Sequence, residues 1–275
     1  MRRAPAMSEA VVRRKPGRAP ATSRLRVVKV GGRAQEDPAL AERLAAAWHA
    51  APGALCVVHG GAAEIDRLQR ALGATPRFVG GRRVTSAEDI DTVRMALSGA
   101  ANKRLVAALN AAGIPAVGVS GEDAAMLRAA PFDAALGQVG RPQSVRAELL
   151  HLLLDAGYLP VVAPLAAPPE GMPGALNVNG DDAAAAIAEA LGARELFFVT
   201  DVPGVRRDGV TVPQLDAADA AALLASGVAE GGMAVKIASA LGALAAGTAR
   251  VRIGGSDAIA DPTLGTTLTL HGEES

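Results

Sequence analysis

The chain has 275 residues, of which 50% are hydrophobic, and its 28 Lys and Arg residues balance its 28 Asp and Glu residues. This length allows one large domain or two modest ones with a substantial core. A neutral balance argues against a nucleic-acid-binding protein that relies on a broad positive field. The chain has no run of about 18 apolar residues, which argues against a membrane span. The N-terminus lacks the apolar stretch of a secretory signal, so we expect a cytoplasmic protein.

The chain has a single cysteine, Cys56, which cannot form an intramolecular disulfide. A lone cysteine agrees with a reducing compartment. Cys56 lies within the apolar run 54–58. We therefore interpret it as a buried strand residue and not as a nucleophile.

Apolar strand-like runs alternate with helical patterns from residue 25 onward. Residues 1–24 precede them as a basic arm that we predict to be disordered, because it can bury little surface. The predicted strands cover 25–30, 55–58, 116–119, 158–163, 195–200, 251–253 and 268–270. The predicted helices cover 37–51, 64–72, 98–112, 144–156, 181–192 and 232–246, and a loop is predicted at 78–85.

This alternation predicts an α/β fold with a mostly parallel central sheet and helices on both faces. The Pro-rich stretch 164–173 is the predicted boundary between an N-terminal lobe (25–172) and a C-terminal lobe (173–275). In such sheets ligands bind beyond the carboxyl ends of the strands. The residues that follow each strand are therefore the candidates for function.

Glycine pairs follow the first two predicted strands: Gly31 and Gly32 after the first, Gly60 and Gly61 after the second. Glycine permits a sharp turn and lets backbone N–H groups approach an anion. Lys29 lies inside the first apolar strand, where a cation is costly unless it is paired. The alternative is an edge-strand lysine that faces water.

Several classes of enzyme lack their signatures in this sequence. Neither the P-loop motif nor the Gly-x-Gly-x-x-Gly fingerprint of dinucleotide-binding proteins is present at a strand end. Residues 118–122 resemble the nucleophile elbow of serine hydrolases, but Glu122 replaces its final glycine. The four histidines are scattered and have no metal-ligand spacing.

Two further groups of polar residues are candidates: one in the predicted loop 78–85 and one at 177–181. The adjacent Arg82 and Arg83 suit a carboxylate, which a guanidinium binds through two hydrogen bonds; a solvated basic loop is the alternative. Asn177 and Asn179 alternate along an extended segment, and Asp181 follows them. Helix capping alone needs only one such residue, so this cluster exceeds a purely structural need.

Two further segments complete the set of candidates. Residues 200–205 place a hydroxyl, an acid and a Pro-Gly turn directly after the strongest predicted strand. Lys236 lies early in the last long predicted helix, whose positive end disfavours a cation. A nearby anion would account for this lysine; the alternative is a surface position.

Taken in order, these segments resemble the amino acid kinase family, and within it the members that phosphorylate N-acetyl-L-glutamate. The resemblance runs from about Arg26 to the C-terminus. The segments that carry it are 29–32, 58–61, 77–85, 102–103, 118–121, 177–181, 200–205 and 232–236.

The resemblance implies a three-layer α/β sandwich with two lobes: the N-terminal lobe binds the acyl amino acid and dimerises, and the C-terminal lobe binds Mg²⁺-ATP. The implied catalytic residues are Lys29, Lys236 and Asp181, the acid that orients both lysines. The implied substrate contacts are Gly60, Gly61, Arg83 and Asn177. The implied nucleotide-binding residues are Gly31, Gly32, Thr200, Asp201, Val202, Pro203, Gly204, Val205, Val228, Ala229 and Glu230.

Some residues depart from the family pattern. Ala62 replaces a third glycine, Arg82 replaces an apolar residue, Gly180 replaces an alanine, and residues 141–143 lack an acidic residue. Because of these departures, three alternative functions stay open. They are a kinase of carrier-linked α-aminoadipate, another amino acid kinase of this fold, and a non-catalytic amino-acid-binding module. Residues 251–259 lack the His and Gly-Arg pair of arginine-inhibited relatives, so we predict an arginine-insensitive homodimer.

Overall fold

The structure, a computed structural model, describes residues 24–80, 82–207 and 209–271. The predicted basic arm therefore lies outside the described residues, except for Arg24. No helix within the described residues is both long and apolar enough to cross a membrane.

Fifteen strands occur in the described part of the chain. They are β1 Arg26–Val30, β2 Leu55–His59, β3 Phe78–Val79, β4 Arg82–Arg83, β5 Ala116–Gly121, β6 Leu127–Pro131, β7 Val139–Val145, β8 Leu159–Ala166, β9 Leu176–Val178, β10 Glu195–Val199, β11 Arg206–Arg207, β12 Val210–Thr211, β13 Gln214–Asp216, β14 Arg250–Gly254 and β15 Thr266–Thr269.

The helices alternate with these strands. They are α1 Leu40–Ala50, α2 Ala62–Ala71, α3 Asp89–Arg94, α4 Asn102–Ala111, α5 Glu148–Asp155, α6 Gly180–Ala190, α7 Ala217–Ala225 and α8 Gly231–Ala245. A π-helical segment, Met95–Ala101, joins α3 to α4 without a break. Such segments insert an extra residue into the helical turn and occur often beside functional sites.

Eleven strands form one sheet, in the order β13-β15-β14-β10-β1-β2-β8-β9-β7-β6, with β5 also paired to β8. Its central part, from β14 through β10, β1 and β2 to β8, is parallel throughout. Antiparallel pairs occur further out, where β14 meets β15, β8 meets β9 and β6 meets β7. The predicted α/β fold with a mostly parallel sheet is confirmed.

The central strands are apolar because helices cover them on both faces. All five residues of β2 and all five of β10 are buried. Helix α6 packs on β1 and β2 and also contacts α8, whereas α4 packs on β5 and β8 and contacts α1. Cys56 is buried in β2, and burial raises the pKa of its thiol to about 12, which confirms a structural cysteine.

The structure corrects three of the predicted elements and adds a strand. Residues 78–79 and 82–83 pair as the β3–β4 hairpin instead of a loop. Helix α1 begins at Leu40, three residues later than predicted. The first part of the predicted helix 144–156 belongs to β7, which pairs with β6, a strand that the sequence did not predict. Strands β3 and β4 have two residues each, which is too short for an alternation of apolar and polar residues to appear in the sequence.

A small apolar cluster lies beside the main core, at the carboxyl ends of the central strands. It joins residues from α2, α3, the π segment, β8 and the chain before β9: Ile65, Ile90, Val93, Ala96, Leu97, Ala163, Leu165 and Ala175. Ile65 and Leu97 from this cluster also line the cavity described below. The cluster therefore fixes one wall of the candidate site.

Candidate active site

A cavity of about 300 Å³ opens at the carboxyl ends of the central strands. All seven residues that the resemblance implies as catalytic or substrate-binding line it, together with Gly32, which the resemblance implies as nucleotide-binding. They are Lys29, Gly32, Gly60, Gly61, Arg83, Asn177, Asp181 and Lys236. The structure thus brings together residues that are up to 207 positions apart in the chain, counting from Lys29 to Lys236 (236 − 29).

Lys29 lies in β1, the central strand between β2 and β10, where its neighbours are Val58 and Phe198. It is only 7% exposed. The alternative of an edge-strand lysine that faces water is therefore wrong. Its ammonium group forms an ion pair with Asp181, with 2.7 Å between Nζ and Oδ1.

Asp181 lies in the first turn of α6. The side chain of Asn179 caps this helix by accepting a hydrogen bond from the backbone N–H of Asp181, at 2.8 Å. A carboxylate in the first turn is stabilised by the positive end of the helix. Asn179 is therefore the capping residue, and the carboxylate of Asp181 is left to serve the lysines.

Lys236 projects from α8 to the same carboxylate, with 3.2 Å between Nζ and Asp181 Oδ2. Each lysine thus takes a different oxygen of Asp181. The anion that the sequence required near Lys236 is this carboxylate. Without it, two ammonium groups in one cavity would repel each other.

The charges of this cluster are coupled. Burial alone would raise the pKa of Asp181, but attraction from Lys29 and Lys236 outweighs it and holds that pKa below its ordinary value. Burial lowers the pKa of Lys29, and Asp181 opposes this shift. We conclude that Asp181 remains ionised because two cations flank it.

The loop after β2 presents a backbone donor to the cavity. The carbonyl oxygen of Gly60 accepts hydrogen bonds from Gln35 Nε2, at 2.7 Å, and from His59 Nδ1, at 2.9 Å. In a trans peptide the next N–H points the opposite way, so these bonds orient the N–H of Gly61. That N–H has no acceptor among the described residues, and Gly61 lines the cavity.

Gly61 also has a steric reason to be glycine. A Cβ at this position would lie 2.7 Å from Leu97 Cδ2 in the π segment. Any side chain at this position would therefore require the side chain of Leu97 to shift. Gly31 differs, since its N–H donates to Val199 O at 3.1 Å and is not free for an anion.

A buried polar network supports the Gly60 loop, and it joins three of the segments that carry the resemblance, 58–61, 102–103 and 118–121. His59 is 0% exposed, and its Nε2 lies 3.1 Å from Asn102 Nδ2. Burial lowers the pKa of His59 to about 4, so the ring is neutral near pH 7. With Nδ1 donating to Gly60, Nε2 must accept from Asn102. Lys103 Nζ donates to Gly118 O at 2.9 Å, which joins α4 to β5.

Arg83 lies at the end of the β3–β4 hairpin and is 8% exposed. Its guanidinium donates to Gln69 Oε1 at 2.8 Å and to Asp66 Oδ1 at 2.5 Å, and it stacks on the ring of Phe78. The alternative of a solvated basic loop is wrong for this residue. A guanidinium has more donors than these contacts use, so it can still bind a ligand anion.

Asn177 lies in β9 and also lines the cavity. Its Nδ2 donates to Thr85 Oγ1 at 3.0 Å. This bond leaves Oδ1 as an acceptor toward the cavity. In the same cavity, Arg83 can therefore bind an anion, and Asn177 Oδ1 can accept a hydrogen bond from an amide N–H.

Of the predicted nucleotide-binding residues, Gly32 lines this cavity, whereas the segments 200–205 and 228–230 do not. Thr200 and Asp201 lie at the carboxyl end of β10, and Asp201 pairs with Arg33 at 2.7 Å on the surface. Val202, Pro203 and Gly204 continue the loop, and Val205 is buried again. Val228, Ala229 and Glu230 precede α8 directly, and Val228 is 60% exposed.

Within the residues that the structure describes, no group of three or more His, Cys, Asp or Glu side chains could hold a metal ion. Both oxygens of Asp181 are taken up by lysines. The cavity is thus lined by cations and N–H groups, which suits an anionic ligand.

Comparison with known proteins agrees with this geometry. The sequence pattern of the amino acid kinase family matches residues 24–255. Acetylglutamate kinase from Roseiflexus castenholzii is 45% identical over 230 residues, 82% of this chain and 88% of that protein. Acetylglutamate kinase from Rubrobacter xylanophilus is 42% identical over 252 residues, 90% of this chain and 97% of that protein.

A solved structure shares the fold. The crystal structure of smu.665 from Streptococcus mutans UA159 matches with a TM-score of 0.79 and 28% identity, and the match covers 90% of this chain and 100% of that one. The family pattern spans most of the chain, and the catalytic lysines and aspartate of the resemblance meet in one cavity. The chain belongs to the amino acid kinase family.

Proposed function

We propose that this protein transfers the γ-phosphoryl group of ATP to the side-chain carboxylate of N-acetyl-L-glutamate. The product is N-acetyl-L-glutamyl 5-phosphate, a step of arginine biosynthesis. The observation that carries this proposal is the Lys29–Asp181–Lys236 cluster in the same cavity as Arg83. The relatives named acetylglutamate kinase, at 42% and 45% identity, support this substrate.

The reaction joins two anions and needs little acid–base chemistry. A side-chain carboxylate is already ionised near pH 7, so its attack requires no general base. The main obstacle is charge repulsion between the carboxylate and the phosphoryl group, together with the alignment of both. Lys29, Lys236 and the N–H of Gly61 offer positive charge and a donor to the transferred oxygens.

Asp181 acts through the lysines in this account. It holds both ammonium groups charged and fixes their positions. Since its oxygens are occupied, it does not compete as a nucleophile. It is therefore a positioning residue for the groups that touch the phosphoryl oxygens.

Arg83 and Asn177 select the amino acid. We assign Arg83 to the α-carboxylate, because a buried guanidinium binds a carboxylate through paired hydrogen bonds. We assign the free Oδ1 of Asn177 to the amide N–H of the acylated α-nitrogen. A free amino acid would place an ammonium group beside Asn177 Oδ1, and it has no acyl group to fill the adjoining part of the cavity.

The nucleotide is assigned to the C-terminal lobe, at residues 200–205 and 228–230 together with Gly31 and Gly32. The positive end of α8 lies beside the cavity, where Gly231 and Gly232 line it, and suits phosphate. We propose that Mg²⁺ is held by the phosphates of ATP and not by Asp181. When bound there, it neutralises phosphate charge.

Lobe roles, assembly and compartment are part of the same proposal. We propose that the N-terminal lobe, 25–172, binds the acyl amino acid and mediates a homodimer, that the C-terminal lobe is 173–275, and that the enzyme works in the cytoplasm. Light scattering coupled to size exclusion should give the mass of a dimer, and the mass of a hexamer would contradict the assembly.

We further propose that L-arginine does not inhibit the enzyme. Inhibition by millimolar L-arginine would contradict this assignment.

Acyl-phosphate formation, trapped as the hydroxamate, tests the reaction and the substrate together. The assay uses Mg²⁺-ATP with N-acetyl-L-glutamate, beside free glutamate, aspartate and α-aminoadipate. We expect strong signal with N-acetyl-L-glutamate alone. No signal with any of the four would favour a carrier-linked α-aminoadipate, or a non-catalytic binding module if ATP is not consumed at all.

A further inference from the structure

A second cavity, which we call the outer groove, adjoins the substrate cavity. It measures about 570 Å³ and lies between the β6–β7 hairpin and helices α6, α7 and α8. Its apolar lining comes mainly from Pro142, Leu224, Ala234, Val235 and Ala238. The proposed function gives this space no role.

Only a thin wall separates the outer groove from the substrate cavity. Two of the described residues, Arg82 and Val235, line both spaces. Asp181 lines the substrate cavity, whereas its neighbour Asp182 lines the outer groove. The long side chain of Arg82 therefore forms much of the wall between them.

Arg82 is held in this position from several sides. Its Nη2 lies 2.9 Å from Asp182 Oδ2, and Asp182 Oδ1 accepts a hydrogen bond from Ser239 at 2.8 Å. The guanidinium also stacks on the ring of Phe132, 4.3 Å from the centroid. These contacts join the β3–β4 hairpin to α6, α8 and the segment after β6, and they are partly shielded from water, which strengthens them.

The two adjacent arginines of β4 turn to opposite sides of the substrate cavity. Arg83 reaches α2 through Asp66 and Gln69, whereas Arg82 reaches α6. If the α-carboxylate binds Arg83 and the side-chain carboxylate lies at the lysines, the acylated nitrogen must point to a third wall. Arg82 is the long polar side chain available on such a wall.

One atom of Arg82 also lacks a partner. Its Nη1 is buried and makes no hydrogen bond among the described residues. A buried donor without an acceptor costs free energy. The carbonyl oxygen of a small acyl group in the substrate cavity is an acceptor of the right kind.

We propose that Arg82 determines which acyl groups the enzyme accepts. Locked to Asp182 and Phe132, it closes the substrate cavity toward the outer groove, so that a short acyl group fits and a longer one meets the guanidinium. This inference rests on the proposed function and deepens it. It also argues against a carrier-linked substrate, whose acyl group would need a path through this wall.

The test compares kcat/KM for a series of substrates that differ only in the length of an uncharged acyl group, from N-acetyl- through N-propanoyl- and N-butanoyl- to N-hexanoyl-L-glutamate. In the unmodified protein kcat/KM should fall at least tenfold between the acetyl and butanoyl compounds. In Arg82→Ala the ratio of hexanoyl to acetyl kcat/KM should rise at least tenfold, because the shortened side chain joins the two spaces and each added CH₂ gains apolar burial.

Two variants serve as controls. Arg141→Ala removes the other arginine that stacks on Phe132, but Arg141 lines only the outer groove, so the ratio should stay unchanged. Arg82→Leu removes the charge while keeping most of the bulk, so the cavity should remain closed to the hexanoyl group. A wider acyl range in Arg82→Leu as well would show that charge, and not volume, sets the limit, and would overturn the proposal.

The outcomes separate this inference from the proposed function. If the unmodified protein phosphorylates none of the series, the proposed function fails. If it phosphorylates the acetyl and hexanoyl compounds equally well, or if Arg82→Ala leaves the ratio unchanged, the function stands and the role of Arg82 is refuted. Should Arg82→Ala fail to fold, Asp182→Asn, which removes the ion pair that holds Arg82, is the second variant: the ratio of hexanoyl to acetyl kcat/KM should rise in it, and an unchanged ratio would refute the role of Arg82.

Discussion

The proposed substrate cavity and the proposed nucleotide-binding segments differ in how strongly their side chains are buried and paired in the protein without ligand. Lys29 and Asp181 are 7% and 4% exposed and are joined by an ion pair. Asp201 pairs with Arg33 on the surface, where their side chains are 44% and 81% exposed, and Val228 is 60% exposed.

This difference matches the two tasks of the proposed reaction. Groups that stabilise charge in the transition state work best when they are fixed in advance and shielded from water. A nucleotide that must enter and leave can instead be bound by exposed segments that close on it. We therefore expect substitutions in the cavity to affect catalysis strongly and those in the nucleotide segments weakly.

The largest effect is expected for Asp181→Asn, which keeps the shape but removes the charge between the lysines. Turnover should fall about 1000-fold, the loss seen when a preorganised electrostatic group is removed. Steady-state hydroxamate formation measures it, and circular dichroism checks that the variant is folded. Asp182→Asn is the neighbouring control and should lose far less turnover. Nearly full turnover in Asp181→Asn would break the proposed role of the cluster.

His59, which supports the cavity, should make the stability of the protein depend on pH. Its ring is buried and neutral, and burial lowers its pKa to about 4. The unfolded chain takes up this proton near pH 6.5, the folded protein only near pH 4. The stability contributed by His59 is thus complete above pH 6.5 and is lost as the pH falls toward 4, by about 3 kcal/mol. Urea denaturation across this range should show the loss in the unmodified protein and a flatter profile in His59→Gln. The exposed His49→Gln is the control, and an unchanged slope in His59→Gln would contradict the prediction.

Lys236→Ala sharpens the distinction between binding and catalysis. Turnover should fall about 100-fold while KM for N-acetyl-L-glutamate changes little, because this lysine acts mainly on charge in the transition state. Initial rates at varied substrate measure both constants. A raised KM with normal turnover would instead make Lys236 a binding residue.

Arg83→Ala should do the reverse. KM for N-acetyl-L-glutamate should rise about 30-fold, the equivalent of one charge-assisted pair, and turnover should change less. Isothermal titration in the absence of ATP gives an independent reading of affinity. If turnover falls as strongly as in Lys236→Ala while affinity holds, Arg83 does not bind the α-carboxylate.

The smallest effect is expected in the nucleotide segments. Asp201→Asn breaks an exposed ion pair, and such pairs contribute little, so KM for ATP should change less than about threefold. Arg33→Ala removes the other partner and serves as the matched variant. A change above tenfold in both would show that this surface is as preorganised as the cavity.

The sequence predicted the α/β fold because its central strands are uniformly apolar and its helices are long. It also predicted an anion near Lys29, in a buried strand, and near Lys236, close to a helix N-terminus; the catalytic roles that the resemblance implies for these lysines stay a prediction. Asp181 lies within reach of both.

Other features could not be predicted from the chain alone. The orientation of the Gly60 carbonyl depends on Gln35, which the sequence did not single out, and on a neutral ring of His59, which follows from its burial in the fold. The β3–β4 hairpin is too short to show a period. The position of Arg82 between two cavities depends on Asp182 and Phe132, and these contacts are set only by tertiary packing.

The most direct test of the central claim follows the oxygen atoms. N-acetyl-L-glutamate labelled with ¹⁸O in its side-chain carboxylate is incubated with Mg²⁺-ATP and hydroxylamine, and the released phosphate is analysed by mass spectrometry. If the carboxylate attacks the γ-phosphorus, hydroxylamine then displaces phosphate at the carbonyl carbon, and each phosphate carries one ¹⁸O from the substrate. Phosphate without ¹⁸O would mean that water received the phosphoryl group, and would contradict carboxyl phosphorylation by this cavity.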